Sequence, residues 1–568
     1  MPIKRKYNIW EDTKPLKLMT KGSSINQTDL QRSANYRPNI WRDDFLQSLS
    51  SKYDKEEYAM QLNKCVIEVK CIFVQELDVM QKSELVDWIQ KLGLANHFEK
   101  EIDDFLQTIF LSAQNFNKFS VQQNFHVSTL CFRLLRQHGY NIFPADMLSN
   151  LLDGRDNSFA RDAEDIIELL EATHLSLDGE KVLDDAKKFA INWLKDSVNN
   201  KERIPKNVIE RMTHALELPS HLRVPWFDVK WHVKQYQIKK HMDPIILELS
   251  KLNFNITQAK LQKEVKDLSR WWEKLGLKKV MGFARNRLVE CFMCAAGVAS
   301  EAKYRSLRKW LTKVIIFVIM IDDVYDIHAS FEQLMPFTTA FQRWDARELD
   351  ELPEYMKICF NALQDVTNEI AYEVGEENFF NMVLQCLKNT WIEFCKALFM
   401  EAKWYKMGYI PSLQEYLSNA SITSSGPLIL MHSYFATIHE LTDEIVDFSH
   451  TYQDLVYNVS LIIRLCNDLA TTAAERERGD AASSIACYIN EMDVSEENAR
   501  KHIQEIINSA WKKINGLCST QNALMEPFFN QARNAARMAH TLYLNGDGFG
   551  IQDRDIKKHI LSLVVEPF

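Results

Sequence analysis

The sequence predicts an all-α protein of two helical domains, and three observations carry that prediction. Gly and Pro number 16 and 14 in 568 residues, about half of their average usage. Strands and tight turns consume those residues, so their scarcity favours helices. From about Asp43 onward, apolar residues recur at helical spacing almost without relief. No Gly-rich phosphate loop, G-x-S-x-G elbow or internal repeat interrupts the pattern. The chain is also too long for one ordinary core, which makes two domains the default expectation.

The elements follow in order. Residues 1–34 have no apolar segment of signal-peptide type and mix acids among their bases, unlike a transit peptide. They read as a loose tail or arm on a cytoplasmic protein. In "ELVDWIQKLGLANHFEKEIDDFL", Leu85, Trp88, Ile89 and Leu92 share one helical face before a break at Gly93. "STLCFRLLRQHGY" stops near Gly139. "LELPSHLRVPWFDVKWHVKQY" holds Pro219 and Pro225, the clearest interruption in the chain. It divides a helical N-terminal domain, 35–235, from a larger C-terminal domain, 236–568. Beyond it, long helical segments are parted by short punctuations such as "ELDELPEY" and "SITSSGPL".

Charge and cysteine usage exclude several classes of function. The net charge of −9 argues against nucleic acid or an anionic membrane surface as the main partner. No apolar run approaches the roughly 18 residues of a membrane span. The 11 cysteines are scattered among apolar neighbours, as buried free thiols in a reducing compartment would be. Cys291 and Cys294 form a C-x-x-C with no second pair, so they read as core packing on one helical turn.

The segment "VIIFVIMIDDVYDIHAS" drives an apolar run straight into Asp322, Asp323 and Asp326. In a helix Asp322 and Asp326 share a face, with Asp323 beside it. Ser330 and Gln333 fit a capping box that opens the next helix, so the carboxylates sit near a helix C-terminus. There the macrodipole disfavours each anion by about 0.3–1 kcal/mol, and a compensating cation is expected. Alone, the string reads equally well as a solvated acidic helix end.

A second stripe changes the balance. "LIIRLCNDLATTAAERERGD" places Asn467, Thr471 and Glu475 at i, i+4 and i+8, again after an apolar run. Amide oxygen, hydroxyl and carboxylate are hard ligands that suit Mg²⁺. Two such stripes facing each other would make a multi-Mg²⁺ site, which calls for an anionic substrate such as a diphosphate. Arg464 lies three residues before Asn467, and Arg285 and Arg287 in "GFARNRLVE" supply further cations.

Together these residues resemble the plant class I terpene synthases. "DDVYD" matches their aspartate-rich metal motif, "NDLATTAAE" their second metal motif and "RNR" their R-x-R. The resemblance spans nearly the whole chain, from "QRSANYRPNIW" to "YLNGDGFG". It implies a catalytic α-helical bundle behind an inactive helical domain, working as a monomer on a small prenyl diphosphate. Asp322, Asp326, Asn467, Thr471 and Glu475 would hold three Mg²⁺ ions, with Mn²⁺ able to substitute. Arg285, Arg464, Asp322, Asp326 and Asn467 would bind the diphosphate, with Arg287 also assigned to catalysis. Tyr543 and Asp547 match a family pair that helps close the site; an ordinary Asn-Gly-Asp-Gly turn is the other reading.

Departures from the family pattern bear on the product. The tandem-arginine motif survives only as Arg32, ahead of Trp41, which weakens a claim to monoterpene cyclisation. Cys294 stands where many members carry a tryptophan, Asn286 replaces the usual aspartate of R-x-R, and "IHAS" replaces "IYGT". No D-x-D-D string supports protonation-initiated chemistry. At finer grain the chain most resembles members that make (E,E)-α-farnesene, which implies ionisation of farnesyl diphosphate and proton loss without ring closure. The alternative is an acyclic monoterpene synthase making ocimene or myrcene from geranyl diphosphate. A prenyl-chain elongase would need a second DD-x-x-D, and a binding protein without catalysis would be expected to have lost ligands. Neither fits.

Overall fold

Helices begin and end where the sequence supplies caps. Asp78 and Gln81 form a capping box that opens the helix Val79–Lys91, with Gln81 N–H donating to Asp78 Oδ1 at 2.8 Å. Gly93, at φ 72°, closes it, and an added Cβ there would lie 2.9 Å from Val229. Asn124 caps Phe125–Gln137, and Gly139 at φ 75° turns the chain away from it. Between Lys206–Glu217 and Pro225–Gln237 lies a single 3₁₀ turn, Ser220–Leu222, with Pro225 at the first turn of the new helix. The computed structural model describes residues 36, 38–114, 124–144, 162–199, 204–438, 451–478, 483–519, 524–550, 552 and 554–568. Among them no strand occurs, so the all-α expectation holds. Arg32 lies outside the described residues.

The helix Pro244–Leu275 is the seam of the molecule. Asp243 caps its start and Gly276, at φ 74°, ends it. It packs against Glu56–Phe73 on one side and against Leu288–Val298 and Arg554–Val564 on others. Gln258 and Gln262 on this helix donate to the carbonyls of Leu563 and Val564 at 2.9 and 2.8 Å. The main apolar core therefore does not stop at the proline-rich interruption. It runs from Trp41 through Leu92, Val229 and Leu249 to Val564. A separate small cluster around Ile166, Leu170, Leu194 and Met212 lies in the first half alone.

Around the site, Leu288–Val298, Arg305–Asp323, Glu354–Met407, Leu413–Thr423, Gly426–Thr437, Gln453–Arg478 and Glu526–Tyr543 pack on one another. Arg308 fixes the Arg305–Asp323 helix to the seam through two bonds to Glu264, at 2.7 and 2.8 Å. Both partners are buried, so losing either would strand a charge. All 11 cysteines are free thiols, and Cys291 and Cys294 are buried on one helix as expected. No helix among the described residues is long and apolar enough to cross a membrane.

Candidate active site

The bundle encloses a cavity of about 980 Å³, and two acidic walls meet at it. The first wall is the end of Arg305–Asp323, where Val314, Ile316, Phe317, Met320 and Ile321 are all buried. After Asp323 the helix widens into a π-turn, Val324–His328, before Ser330 opens Phe331–Arg343. Ser330 N–H donates to Gln333 Oε1 at 3.0 Å, the expected capping box. A π-turn adds one residue to the loop of each hydrogen bond and recurs at functional sites; nothing in the sequence announces it. Asp322 and Asp326 both line the cavity, whereas Asp323 is fully buried behind them.

The expected cation is Arg285. Its backbone N–H donates to Asp323 Oδ2 at 2.7 Å, its Nε to Asp323 Oδ1 at 2.9 Å and its Nη2 to Asp322 Oδ2 at 2.7 Å. The Tyr36 ring covers the guanidinium at 5.0 Å. Burial works against the charge of Arg285, but Asp323, Tyr36 and Asp322 outweigh it and hold the group well above its ordinary pKa. Burial pushes the Asp323 carboxyl up, against the pull of Arg285.

The second wall is the helix Gln453–Arg478, from which Asn467, Thr471 and Glu475 reach the same cavity. The Thr471 hydroxyl donates to the Asn467 carbonyl at 3.0 Å, so its lone pairs remain for a ligand. Asp468 is buried like Asp323 but, unlike it, lies among the residues that line the cavity. It accepts from the Tyr416 hydroxyl at 2.9 Å and from Ser484 N–H at 2.9 Å. Arg464 lines the cavity and donates to Thr423 Oγ1 at 2.6 Å, with Glu401 at 3.8 Å and Asp468 at 4.0 Å. Its pKa is raised well above the ordinary value: burial opposes the charge, and Tyr416, Glu401, Asp468 and Asp322 more than restore it. The buried Nε of Arg464 has no hydrogen-bond partner among the described residues. A buried guanidinium at a cavity wall is a place for an anion.

The remaining predicted residues divide. Tyr543 and Asp547 line the cavity. Asp547 Oδ1 accepts from the backbone N–H groups of Phe549 and Gly550 at 3.0 and 2.8 Å, which folds the loop tightly. An added Cβ at Gly550 would meet Asp547 Oδ2, so any larger residue there would have to displace that carboxylate. Burial, followed by Asp547, pushes the Tyr543 hydroxyl well up, so it stays protonated. Arg287 is not among the cavity residues. It donates to the carbonyl of Phe549 at 2.7 Å and so restrains that loop from behind. Asn286 turns away and accepts from the Trp272 indole at 3.1 Å.

Below the two walls the lining is apolar: Cys294, Val298, Ile315, Ile319, Ile429 and Met538. Burial raises the Cys294 thiol, which is neutral and weakly polar there. Hard oxygen donors and arginines thus surround one end of a cavity whose other end is greasy. Sequence reasoning saw Asp323 only as part of the acidic cluster, and missed Asp468, Glu401 and Tyr416. Their roles depend on partners far away in the chain, so no local spacing marks them.

Comparison with known proteins agrees with this arrangement. The family description "Terpene synthase family, metal binding domain" matches residues 273–513, and "Terpene synthase, N-terminal domain" matches 40–216. The alpha-farnesene synthase of Ricinus communis is 49% identical over 97% of this chain and 98% of its own length. The (E,E)-alpha-farnesene synthase of Malus domestica is 48% identical over 96% and 94%. A limonene synthase crystallised with 2-fluorolinalyl diphosphate superposes with a TM-score of 0.90 at 33% identity, covering 95% of this chain and 100% of that one. The isoprene synthase of Populus x canescens, in complex with three Mg²⁺ ions and dimethylallyl-S-thiolodiphosphate, gives 0.82 at 36% identity, covering 93% and 99%. This chain belongs to the terpene synthase family, whose members are lyases acting on prenyl diphosphates.

Proposed function

We propose that this chain ionises farnesyl diphosphate and removes a proton from the resulting cation without closing a ring, giving (E,E)-α-farnesene and diphosphate. The observation that carries the reading is the polarity of one cavity, with two oxygen-rich walls and Arg464 at one end and apolar side chains at the other. Near-full-length similarity to two α-farnesene synthases supports the product class.

The donor set fits Mg²⁺. Among the described residues no three His, Cys, Asp or Glu side chains form a metal cluster on their own. An ion held at either wall would therefore draw further oxygens from the substrate, the usual habit of Mg²⁺. Three Mg²⁺ ions held by Asp322 and Asp326 on one side and Asn467, Thr471 and Glu475 on the other would supply the Lewis acidity that weakens the carbon–oxygen bond.

The chain's own residues do the rest. Arg464 and Arg285 bring positive charge to the walls where the leaving diphosphate would lie, stabilising negative charge as it develops. Val298, Ile315, Ile429 and Met538 exclude water from the prenyl chain. With Cys294 in place of a large aromatic, that part of the wall offers the cation no π-face to favour ring closure. The retained diphosphate then accepts the proton.

Incubation with farnesyl or geranyl diphosphate and Mg²⁺, followed by gas chromatography, tests the proposal. (E,E)-α-Farnesene from the fifteen-carbon substrate is expected. A predominantly cyclic product, or turnover of geranyl diphosphate alone to ocimene or myrcene, would overturn it.

A further inference from the structure

Two helices meet at the apolar part of the cavity. Leu288–Val298 starts just after Arg285, which bridges the first wall, and runs roughly 15 Å from there to Val298. Cys294 and Val298 line the cavity from this helix. Ala535, Met538, Ala539 and Leu542 line it from Glu526–Tyr543, at the spacing of one helical face. The Asn534 amide donates to the Val298 carbonyl at 3.2 Å and ties the two helices together.

Gly297 lies in that contact. A Cβ added to it would overlap Met538 Sδ and stand 2.9 Å from Met538 Cγ and 3.1 Å from Phe227 Cζ. The thioether therefore rests in the space that any other residue would fill. Gly297 is buried in the helix and has no positive φ, and inside a helix glycine is less stable than alanine. Neither backbone nor propensity calls for a glycine here; room for Met538 does. Phe227, from Pro225–Gln237 in the first half of the chain, backs the same spot and packs edge-on against His559 at 5.6 Å. A flexible thioether yields more readily than a packed helix. With Phe227 behind it and the two helices bonded to each other, a displaced Met538 has the cavity to move into.

We propose that Gly297 and Met538 together set the length of prenyl chain the cavity accepts. The glycine takes up the thioether, and the space so cleared admits the last isoprene unit of a fifteen-carbon substrate. The inference rests on the reading of the cavity as a prenyl diphosphate site and names residues of that site that choose between ten and fifteen carbons.

The test is the ratio of kcat/KM for farnesyl over geranyl diphosphate with Mg²⁺, with thermal melting as a control for folding. Gly297→Ala should lower the ratio about tenfold or more, the worth of one methylene in an apolar pocket. Adding Met538→Ala to that variant should return the ratio at least to the wild-type value, because the side chain pushed inward is gone. A glycine needed only for helix packing would slow both substrates alike, with no rescue. Met538→Ala alone lengthens the cavity, and its turnover of geranylgeranyl diphosphate should rise about tenfold over wild type; this variant carries the test if Gly297→Ala does not fold. An unchanged ratio in folded Gly297→Ala, a fall that Met538→Ala does not reverse, or no gain on the twenty-carbon substrate overturns the inference. Failure of the proposed function would appear in the wild-type enzyme's own substrate and product, whereas this inference is read from the change between variants.

Discussion

The two walls of the cavity are built to one plan and balanced in different ways. Each presents oxygen-bearing side chains to the cavity and carries a buried carboxylate, Asp323 set behind the lining in the first and Asp468 within it in the second. In the first wall the buried acid is met by a full charge, since Arg285 bridges Asp323 and Asp322. In the second it is met by the Tyr416 hydroxyl and Ser484 N–H, and the nearby Arg464 stands 4.0 Å off. The difference assigns separate tasks to the two arginines. Arg285 ties its wall together through close ion pairs, whereas Arg464 stands 3.8 and 4.0 Å from the nearest carboxylates. A charged pair in a dry site is costly to break, and an acid met by neutral donors is cheaper to alter.

The largest expected effect comes from removing the carboxylates that face the cavity. Asp322→Ala and Glu475→Ala should each lower turnover by about 10³-fold while the protein stays folded. Steady-state assays with circular dichroism as a folding control check this. Loss of soluble protein in place of activity would mean that these carboxylates serve structure.

The buried acids sharpen the comparison. Asp323→Asn leaves the Arg285 guanidinium without its main counter-charge and should cost about 3 kcal/mol. Asp468→Asn keeps an oxygen that can accept from Tyr416 or Ser484 and should cost about 1 kcal/mol. Denaturant unfolding measures both; equal costs would remove the distinction between the walls.

Much of this was legible in the sequence, and the limit has a physical cause. The helical class, the helix break at Pro219 and Pro225, and the five oxygen-bearing side chains that line the cavity follow from spacing within one or two helical turns. The π-turn after Asp323 leaves no such trace, because residue type does not mark which amide skips a residue. Arg285 with Asp323, Tyr416 with Asp468 and Trp41 with Glu290 pair across 38, 52 and 249 residues. Only the fold brings them together. Arg287 shows the reverse: the R-x-R resemblance implied a catalytic role, and the fold turns its side chain toward a loop carbonyl.

A smaller effect concerns pH. His138, His432 and His540 are pushed down to about 4 by burial, with Arg533 adding to the effect at His138. In the unfolded chain each would titrate near ~6.5. Their folded-state values are depressed, so the stability they confer is present above about pH 6.5 and is lost as pH falls toward 4. His540 backs the second wall, accepting from the Trp511 indole at 2.9 Å and meeting Cys466 at 3.7 Å. The melting temperature should fall between pH 7 and pH 5, and amide exchange should quicken in Gln453–Arg478 before Arg305–Asp323.

The most direct test of a two-walled clamp is calorimetric binding of inorganic diphosphate with and without Mg²⁺. Binding should require the metal and should be lost in Asp322→Ala and in Glu475→Ala alike, since each removes one wall. Diphosphate binding that persists in chelator, or that survives the loss of either wall, would contradict the account.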